Sequence, residues 1–195
     1  VCRAAEQLKI NQLVLGSSYN AIGAMGTAQR WKAKQVNPPD YFPLDQHSTT
    51  CAEDPYSISK WLGEHIGDAF ARRNPQMALA SMRFNGMWDD QYFEQLRGDP
   101  ISDPWTRCQG FWTYVHIRDA ARACVVAIAD RTWRGHHRFF INAKDTMLAI
   151  PTMQALADVY PDVPLNCELP DFASPISNQH VTDIIGWQPE YSWRE

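Results

Sequence analysis

The sequence has few cysteines, a small net charge and no long apolar run. Each of these features argues against a class of protein. Its five cysteines are odd in number and never form a Cys-x-x-Cys pair, which argues against a disulfide framework or a zinc ribbon and is typical of the cytoplasm. Eighteen Lys and Arg against 22 Asp and Glu give a net charge of −4, and no basic run could neutralise a line of nucleic-acid phosphates. The longest apolar run, residues 123–129, is far shorter than the roughly 20 residues of a membrane helix. We therefore expect a cytoplasmic, globular protein with neither nucleic-acid nor membrane partners.

What the chain does contain is an alternation of strand and helix patterns. Apolar residues recur with helical spacing in some segments, and short buried runs bounded by turn residues lie between them. The predicted helices cover 1–9, 55–73, 118–130, 152–160 and 177–185, and the predicted strands cover 12–16, 77–84 and 138–142. This alternation predicts an α/β fold in which helices cover a doubly wound parallel sheet.

Polar residues at the predicted strand ends are the first candidates for a site, because ligands of open α/β sheets bind beyond the carboxyl ends of the strands. Ser17 and Ser18 follow one strand and Asn85 follows the next. Tyr56 and Lys60 lie four positions apart near the start of the long helix, so both side chains lie on one helical face. A packed aromatic residue followed by a surface lysine has the same spacing, but the well-capped helix and the upstream serine pair favour a functional Tyr-x-x-x-Lys pair.

Taken in order, these segments resemble the extended short-chain dehydrogenase/reductase family, also called the NAD-dependent epimerase/dehydratase family. The resemblance covers essentially the whole chain and is carried by residues 1–5, 15–23, 56–60, 82–85, 114–119 and 186–189. It implies that residues 1–150 form the C-terminal part of a dinucleotide-binding Rossmann domain with the active-site helix. It also implies that residues 151–195, interleaved with 86–113, form a small substrate-binding region.

The chain departs from the family in one respect that matters for the cofactor. The glycine-rich turn that binds the cofactor pyrophosphate in this family, Gly-x-x-Gly-x-x-Gly, occurs nowhere in the sequence, which begins at Val1. We therefore expect a partial Rossmann-like sheet that lacks its first strands. Such an N-terminally truncated member should not bind dinucleotide normally and should be inactive by itself.

The resemblance implies a chemical role for the Tyr and Lys pair. A phenol ordinarily has a pKa of roughly 10 and needs a neighbouring cation to act as a base at neutral pH. Lys60 would supply that cation and would also hold the nicotinamide ribose of NAD or NADP. Tyr56 would remove the proton of a substrate hydroxyl as hydride leaves for the nicotinamide, and Ser18 would hydrogen-bond the same oxygen. Arg83 is a further implied cofactor contact.

The substrate class is narrowed by a second departure. Trp112 stands where UDP-sugar epimerases of the family carry an arginine that reaches the substrate diphosphate, and an indole cannot replace a guanidinium there. This favours an NAD(P)-dependent dehydrogenase that acts on a small sugar or sugar acid, with Trp88 and Trp112 either as stacking surfaces or as ordinary core residues. A nucleotide-sugar epimerase and a noncatalytic sensor or scaffold stay open as alternatives. The implied substrate contacts are Ser17, Ser18, Tyr19, Asn20, Asn85 and Trp112.

Two remaining features bear on metals and on oligomeric state. The histidines His116, His136 and His137 have no third ligand at a spacing suited to a metal, so we interpret them as structural and expect no metal site. Family members commonly form homodimers through the active-site helix. Apolar residues such as Leu62 and Ile66 on that helix are compatible with a homodimer here.

Overall fold

The computed structural model describes residues 1–23 and 28–195. Helices and strands alternate along most of this length, with two short 3-10 helices, Tyr19–Ile22 and Cys108–Gly110. The α-helices are α1 (Cys2–Gln7), α2 (Ala28–Lys32), α3 (Pro55–Arg73), α4 (Asp90–Gly98), α5 (Ile117–Ala129), α6 (Thr152–Val159) and α7 (Gln179–Ile185). The strands are β1 (Gln12–Ser18), β2 (Ala78–Phe84), β3 (Gly86–Trp88), β4 (Tyr114–His116) and β5 (Gly135–Ile141). None of the described helices is long and apolar enough to cross a bilayer.

A three-stranded parallel sheet in the order β1-β2-β5 forms the centre of the structure. The central strand β2 pairs with β1 in register from Gln12 opposite Ala78 to Ser18 opposite Phe84. On its other side β2 pairs with β5, with Gly135 opposite Ala78. Strand β2 is buried at every position before Phe84, as expected for a parallel sheet that is covered on both faces.

Side chains that alternate along β2 pack against helices on opposite faces of the sheet. Ala80 and Met82 lie in one apolar cluster with residues of α5 and α7. Leu79 lies in another cluster with residues of α1 and α3. This arrangement confirms the predicted α/β fold with helices on both faces of a parallel sheet.

A second, two-stranded parallel sheet joins β3 to β4, with Gly86 opposite Tyr114. The sequence pattern predicted neither β3 nor α4. Strand β3 has only three residues, too few to show an alternation, and α4 is a short helix that buries only Phe93 and Leu96. The chain position of α4 is nevertheless marked by Asp89, whose side chain accepts the backbone N–H of Tyr92.

An aromatic core lies beside the main sheet and joins distant parts of the chain. Its fully buried members include Phe42, Phe111 and Trp112, and the hydroxyl-bearing ring of Tyr160 contacts all three. Because residues on both sides of position 150 contribute to this core, its packing does not by itself divide the chain there. The predicted division into regions 1–150 and 151–195 stays a prediction.

Helix α3 brings the candidate site to the sheet, and its start follows from local sequence. The carboxylate of Asp54 accepts the backbone N–H groups of Tyr56 and Ser57, each at 3.0 Å. Pro55 occupies the first turn, where a missing N–H costs nothing. The helix continues to Arg73, so the predicted boundaries are confirmed at both ends.

The buried face of α3 is polar and small rather than apolar. Glu64, Gly67 and Ala71 are buried against the sheet, whereas Leu62 is 48% exposed and Ile66 is 54% exposed. These two apolar side chains therefore lie on the outer face of α3, and a homodimer through this helix stays a prediction.

Candidate active site

The two serines at the end of β1 face opposite sides of the sheet, because side chains alternate along a strand. Ser17 donates its hydroxyl proton to the buried carboxylate of Glu64 at 2.7 Å. This internal bond uses the hydroxyl proton of Ser17 within the protein, and the substrate contact of Ser17 stays a prediction. Ser18 instead accepts the backbone N–H of Asn20 at 3.2 Å and caps the 3-10 helix that follows. Its own proton has no acceptor among the described residues, so Ser18 retains a donor for a ligand.

Lys60 joins the active-site helix to the end of β1. Its ammonium donates to the carbonyl of Gly16 at 3.0 Å and lies 5.4 Å from the centre of the Tyr56 ring. The Tyr56 side chain is about half exposed, at 51%. Because an ammonium has three donors, two N–H groups of Lys60 are left for a ligand. The structure thus brings Tyr56 and Lys60 together near the carboxyl end of β1. Their contact with this strand is at Gly16, two residues before Ser18.

Tyr19, which directly follows Ser18 in the sequence, is a neutral phenol. Burial is the main cause that raises the pKa of Tyr19 to about 12, and the charge of Arg107 opposes this increase. A side-chain carbon on Gly110 would lie 3.3 Å from the Tyr19 hydroxyl, so the 3-10 helix of residues 108–110 packs directly on that hydroxyl. Tyr19 therefore keeps its proton at neutral pH and packs against the 3-10 helix that follows Arg107.

Two amides near the strand ends lack partners within the part of the chain that the structure describes. Asn85 is 5% exposed, and neither its amide nitrogen nor its amide oxygen has a hydrogen-bond partner. The side-chain oxygen of Asn20 is likewise buried and unpartnered. A buried polar group without a partner costs about 1–3 kcal/mol, and native proteins contain few of them. These two predicted substrate residues could accept ligand hydrogen bonds without breaking existing ones.

Arg83 is almost completely buried and is paired inside the protein. Its Nε and Nη2 atoms donate to the two carboxylate oxygens of Glu64 at 3.0 and 2.8 Å, and its guanidinium lies 5.0 Å from the ring of Phe140. Of the three guanidinium nitrogens of Arg83, Nη1 alone has no hydrogen-bond partner in the part of the chain that the structure describes. The predicted cofactor contact of Arg83 therefore depends on this one nitrogen and stays a prediction.

The pair of Glu64 and Arg83 belongs to a larger network under α3. Arg138 donates to Glu64 at 3.0 Å and also binds Asp68. His136 contacts Asp68 at 2.7 Å through Nδ1 and Ser81 at 2.8 Å through Nε2. Burial lowers the pKa of His136 despite its contact with Asp68, so this histidine is neutral near pH 7.

Sequence reasoning missed this network, although one signal for it was present. Lys60, Glu64 and Asp68 recur at every fourth position of α3 and therefore lie along one helical face. A stripe of charged residues on a helix that covers a sheet predicts buried partners on the strands. Here those partners are Arg83 and Arg138.

The two tryptophans proposed as stacking surfaces have different positions. Trp112 is completely buried, donates to the carbonyl of Pro104 at 2.8 Å and packs edge-on against Tyr160. Trp112 thus lies in the core, and its contact with substrate stays a prediction. Trp88 is partly exposed and stacks on Tyr92, with ring centres 3.9 Å apart and planes inclined by 13°.

The histidines are engaged in separate contacts within the protein. His116 accepts the backbone N–H of Arg118 at 3.2 Å and caps α5. His137 contacts His180 at 3.1 Å, on the face of the sheet opposite to His136. In residues 1–23 and 28–195, no group of three or more His, Cys, Asp or Glu side chains could hold a metal ion.

Solved structures share the fold of this chain, although no family model and no curated protein matches it. MoeE5, solved with UDP-glucuronic acid and NAD, matches 100% of the chain and 64% of its own length, with 16% identity and a TM-score of 0.60. UDP-N-acetylglucosamine 4-epimerase from Bacillus cereus matches 98% of the chain and 63% of its own length, with 13% identity and a TM-score of 0.59. UDP-glucose 4-epimerase from Thermotoga maritima matches 98% of the chain and 62% of its own length, with 18% identity and a TM-score of 0.58. The chain thus spans just under two thirds of these proteins, which confirms the predicted partial Rossmann-like fold.

Proposed function

We propose that this chain carries the catalytic part of an NAD(P)-dependent oxidoreductase of the extended short-chain dehydrogenase type, which oxidises a hydroxyl of a sugar or sugar acid. The observation that carries the proposal is the position of Lys60. Its ammonium is anchored 3.0 Å from the Gly16 carbonyl at the end of β1 and lies over the Tyr56 ring. The fold is shared with MoeE5, which was solved with UDP-glucuronic acid and NAD, and this likeness supports the choice of substrate and cofactor class.

Each residue of the site has a distinct task in this proposal. The Tyr56 oxygen, as a phenolate stabilised by the neighbouring charge of Lys60, takes the proton of the substrate hydroxyl and becomes a neutral phenol. Ser18 donates a hydrogen bond from its hydroxyl to the substrate oxygen and stabilises the negative charge that develops there. Asn85 supplies an amide without internal partners to orient a further polar group of the substrate. When bound, the nicotinamide would accept the hydride.

The residues described here fit one end of the cofactor. The two remaining N–H groups of Lys60 suit the hydroxyls of the nicotinamide ribose, and Nη1 of Arg83 is a further donor without a partner in the described chain. A pyrophosphate is usually held by a glycine-rich turn at a helix N-terminus, and the sequence contains no such turn. We therefore assign the nicotinamide end alone to these residues and leave the preference between NAD and NADP open.

Two alternatives differ from the dehydrogenase in what they do to the cofactor. A nucleotide-sugar epimerase would return the hydride to the substrate and leave the cofactor unchanged overall, and two structures of the same fold are named as such epimerases. A noncatalytic sensor would convert nothing. The arrangement of Ser18, Tyr56 and Lys60 argues against the sensor, because binding alone requires no base. Product analysis separates the three functions.

The experiment uses the longest natural form of the protein that contains residues 1–195. Tyr56→Phe keeps the ring and removes the proton acceptor, so we expect turnover to fall at least about 100-fold, the lower end of the effect of a general base, with little change in cofactor affinity. Tyr41→Phe, which removes a hydroxyl bonded to Asp45, is the matched control and should keep its activity. Turnover near the parent rate in Tyr56→Phe would contradict the mechanism.

A further inference from the structure

Two histidine rings from different elements meet on the face of the sheet opposite to α3. Nδ1 of His137, on β5, lies 3.1 Å from Nε2 of His180, in the first turn of α7. The ring centres are 5.2 Å apart and the ring planes are inclined by 38°. We call these two residues the histidine pair. The pair is a direct polar contact between the sheet and α7.

The hydrogens of the histidine pair follow from its second contact. Nε2 of His137 lies 3.0 Å from the backbone carbonyl oxygen of Arg134, whose guanidinium binds the carbonyl groups of Arg131 and Trp133. A carbonyl oxygen can only accept, so Nε2 of His137 carries a hydrogen, and in a neutral imidazole the other nitrogen is then an acceptor. Nδ1 of His137 therefore accepts the hydrogen that Nε2 of His180 donates. The neutral pair thus has one hydrogen between its two facing nitrogens.

Aromatic rings hold the histidine pair in this orientation. The ring of His137 stacks on Phe139, with centres 5.6 Å apart and planes inclined by 5°, and Trp133 packs edge-on against it. The ring of His180 also contacts Phe139, with 5.4 Å between the ring centres. Phe139 and Trp133 are both buried. Turning either imidazole away from the other would therefore disrupt this packing.

The histidine pair lies beside the apolar contacts that dock α7. Val181 and Ile185 of α7 belong to the same apolar cluster as Met82 of β2 and Phe139 of β5. The helix has only seven residues, and a helix this short owes its stability to packing rather than to helix propensity. The docking of α7 on the sheet therefore depends on a small number of contacts, of which the histidine pair is one.

No carboxylate in the described parts of the chain forms an ion pair with either ring of the histidine pair. Asp183 on α7 and Asp45 in the loop before α3 form their hydrogen bonds with other residues. The charges of these two carboxylates raise the pKa of His180. Burial, the largest cause, and the charges of His137 and His47 outweigh them and lower it. The surroundings of the pair therefore favour its neutral form.

We propose that the histidine pair is an acid-sensitive switch that releases α7 from the sheet when the pair takes up a second proton. A neutral pair carries two hydrogens on its four ring nitrogens. One added proton can be placed so that one facing nitrogen still lacks a hydrogen, and the N–H···N bond persists. Two added protons put a hydrogen on both Nδ1 of His137 and Nε2 of His180, 3.1 Å apart, and make both rings cationic, so repulsion replaces the bond. The inference concerns α7 alone and is independent of the proposed function.

Acid favours release because the released state can take up both protons. An imidazole without such a neighbour has a pKa of roughly 6.5, so at about pH 5.5 its protonated form exceeds its neutral form about tenfold. The docked pair is denied one of the two protons that the released state binds. The ratio of docked to released α7 should therefore fall about tenfold between about pH 7.5 and about pH 5.5.

Hydrogen exchange of backbone amides tests the inference on the longest natural form that contains residues 1–195. The readout is the protection factor of residues 179–185, which corrects for the effect of pH on the exchange of a free amide. We expect this protection to fall about tenfold between about pH 7.5 and about pH 5.5 in the parent protein. Residues 117–129, which form α5, are the internal reference.

Three variants assign the effect to the histidine pair. In His180→Gln the amide can donate or accept by turning over, so the protection of α7 should change less than about twofold over the same pH range. His137→Gln replaces the other ring and should have the same effect. His65→Gln is the matched control, because His65 is about half exposed on α3 and contacts Asp68 at 3.4 Å, and its α7 should respond to acid as in the parent.

Three results would overturn the inference. The first is a protection of α7 in the parent that acid leaves unchanged. The second is a tenfold fall that persists in both His180→Gln and His137→Gln. The third is a fall of the same size in residues 117–129 that these variants also abolish, because the pair would then control the whole fold rather than the docking of α7.

Discussion

Replacing Glu64 by glutamine is expected to destabilise the protein strongly, because two arginines share this carboxylate in the interior. The Glu64 side chain is 1% exposed and the Arg83 side chain 4% exposed. Ser17 and Arg138 bind the same carboxylate. The amide of glutamine keeps the shape of the side chain, so the variant isolates the effect of the charge.

The size of the loss in unfolding free energy follows from the charge of Arg83, which Glu64→Gln leaves without a carboxylate partner. Removing one partner of a buried ion pair costs about 3–5 kcal/mol, because the other charge stays buried without compensation. The Arg138 side chain is 24% exposed and also binds Asp68. The loss of its ion pair with Glu64 should therefore cost at most about 1 kcal/mol. For a domain of this size, a loss of about 3–5 kcal/mol lowers Tm by about 6–20 °C.

The loss should depend on pH in a defined direction. Burial by itself raises the pKa of Glu64, but hydrogen bonds from Arg83 and Ser17 and the charges of Arg83 and Arg138 together hold it below its ordinary value of 4.5. A carboxyl group with a lowered pKa in the folded state contributes its stability above the pKa of the unfolded chain and loses it as the pH falls through the folded value. The difference between the parent protein and Glu64→Gln should therefore shrink below pH 4.5.

Urea denaturation followed by circular dichroism measures the free energy of unfolding at each pH. Glu94→Gln is the matched control, because Glu94 pairs with Arg97 at 2.6 Å but its side chain is 74% exposed, and its loss should be at most about 1 kcal/mol. The reasoning is refuted if Glu64→Gln costs no more than this control. It is equally refuted if the difference from the parent is as large at about pH 3 as at pH 7.

Two further predictions concern backbone space and the unpartnered amide. Gly23→Ala should lower the free energy of unfolding by at least about 2 kcal/mol, because φ is 79° and the new carbon would lie 2.2 Å from a backbone carbon. Gly63→Ala, with open space around Gly63, should be neutral or stabilising by about 0.5–1 kcal/mol. Equal losses of stability for the two variants in urea denaturation would contradict this prediction. Asn85→Ala should change stability by less than about 1 kcal/mol, because no hydrogen bond is lost, while raising the KM for the sugar substrate about tenfold. An unchanged KM together with a large loss of stability would show that the amide of Asn85 serves the fold rather than a ligand.

Local signals in the sequence were sufficient for the elements that position the site. Asp54 and Pro55 mark the start of α3 because a capping carboxylate and a proline act within one turn of the helix. The strands β1 and β2 have short buried runs with turn residues beside them, so their existence and approximate bounds were predictable. The Tyr-x-x-x-Lys spacing then placed Tyr56 and Lys60 on one face, and the structure places Lys60 over the Tyr56 ring.

Contacts between distant residues were beyond the reach of these signals. Glu64 meets Arg138 across 74 positions of sequence, and only the parallel order β1-β2-β5 brings them together. The opposite orientation of Ser17 and Ser18 follows from strand alternation, but the bond between Ser17 and Glu64 depends on where α3 packs. His137 and His180 belong to separate elements, so the contact between their rings left no pattern in the sequence.

The central claim is that Tyr56 and Lys60 act as one unit, and a double-mutant cycle on turnover tests it most directly. Tyr56→Phe, Lys60→Met and the double variant are compared at saturating cofactor, in the longest natural form that contains the chain. If the ammonium acts by stabilising the phenolate, removing both groups should cost little more than removing Tyr56 alone, because effects within one catalytic unit are strongly non-additive. Losses that multiply independently would show that Lys60 does not act through Tyr56 and would contradict the proposed mechanism.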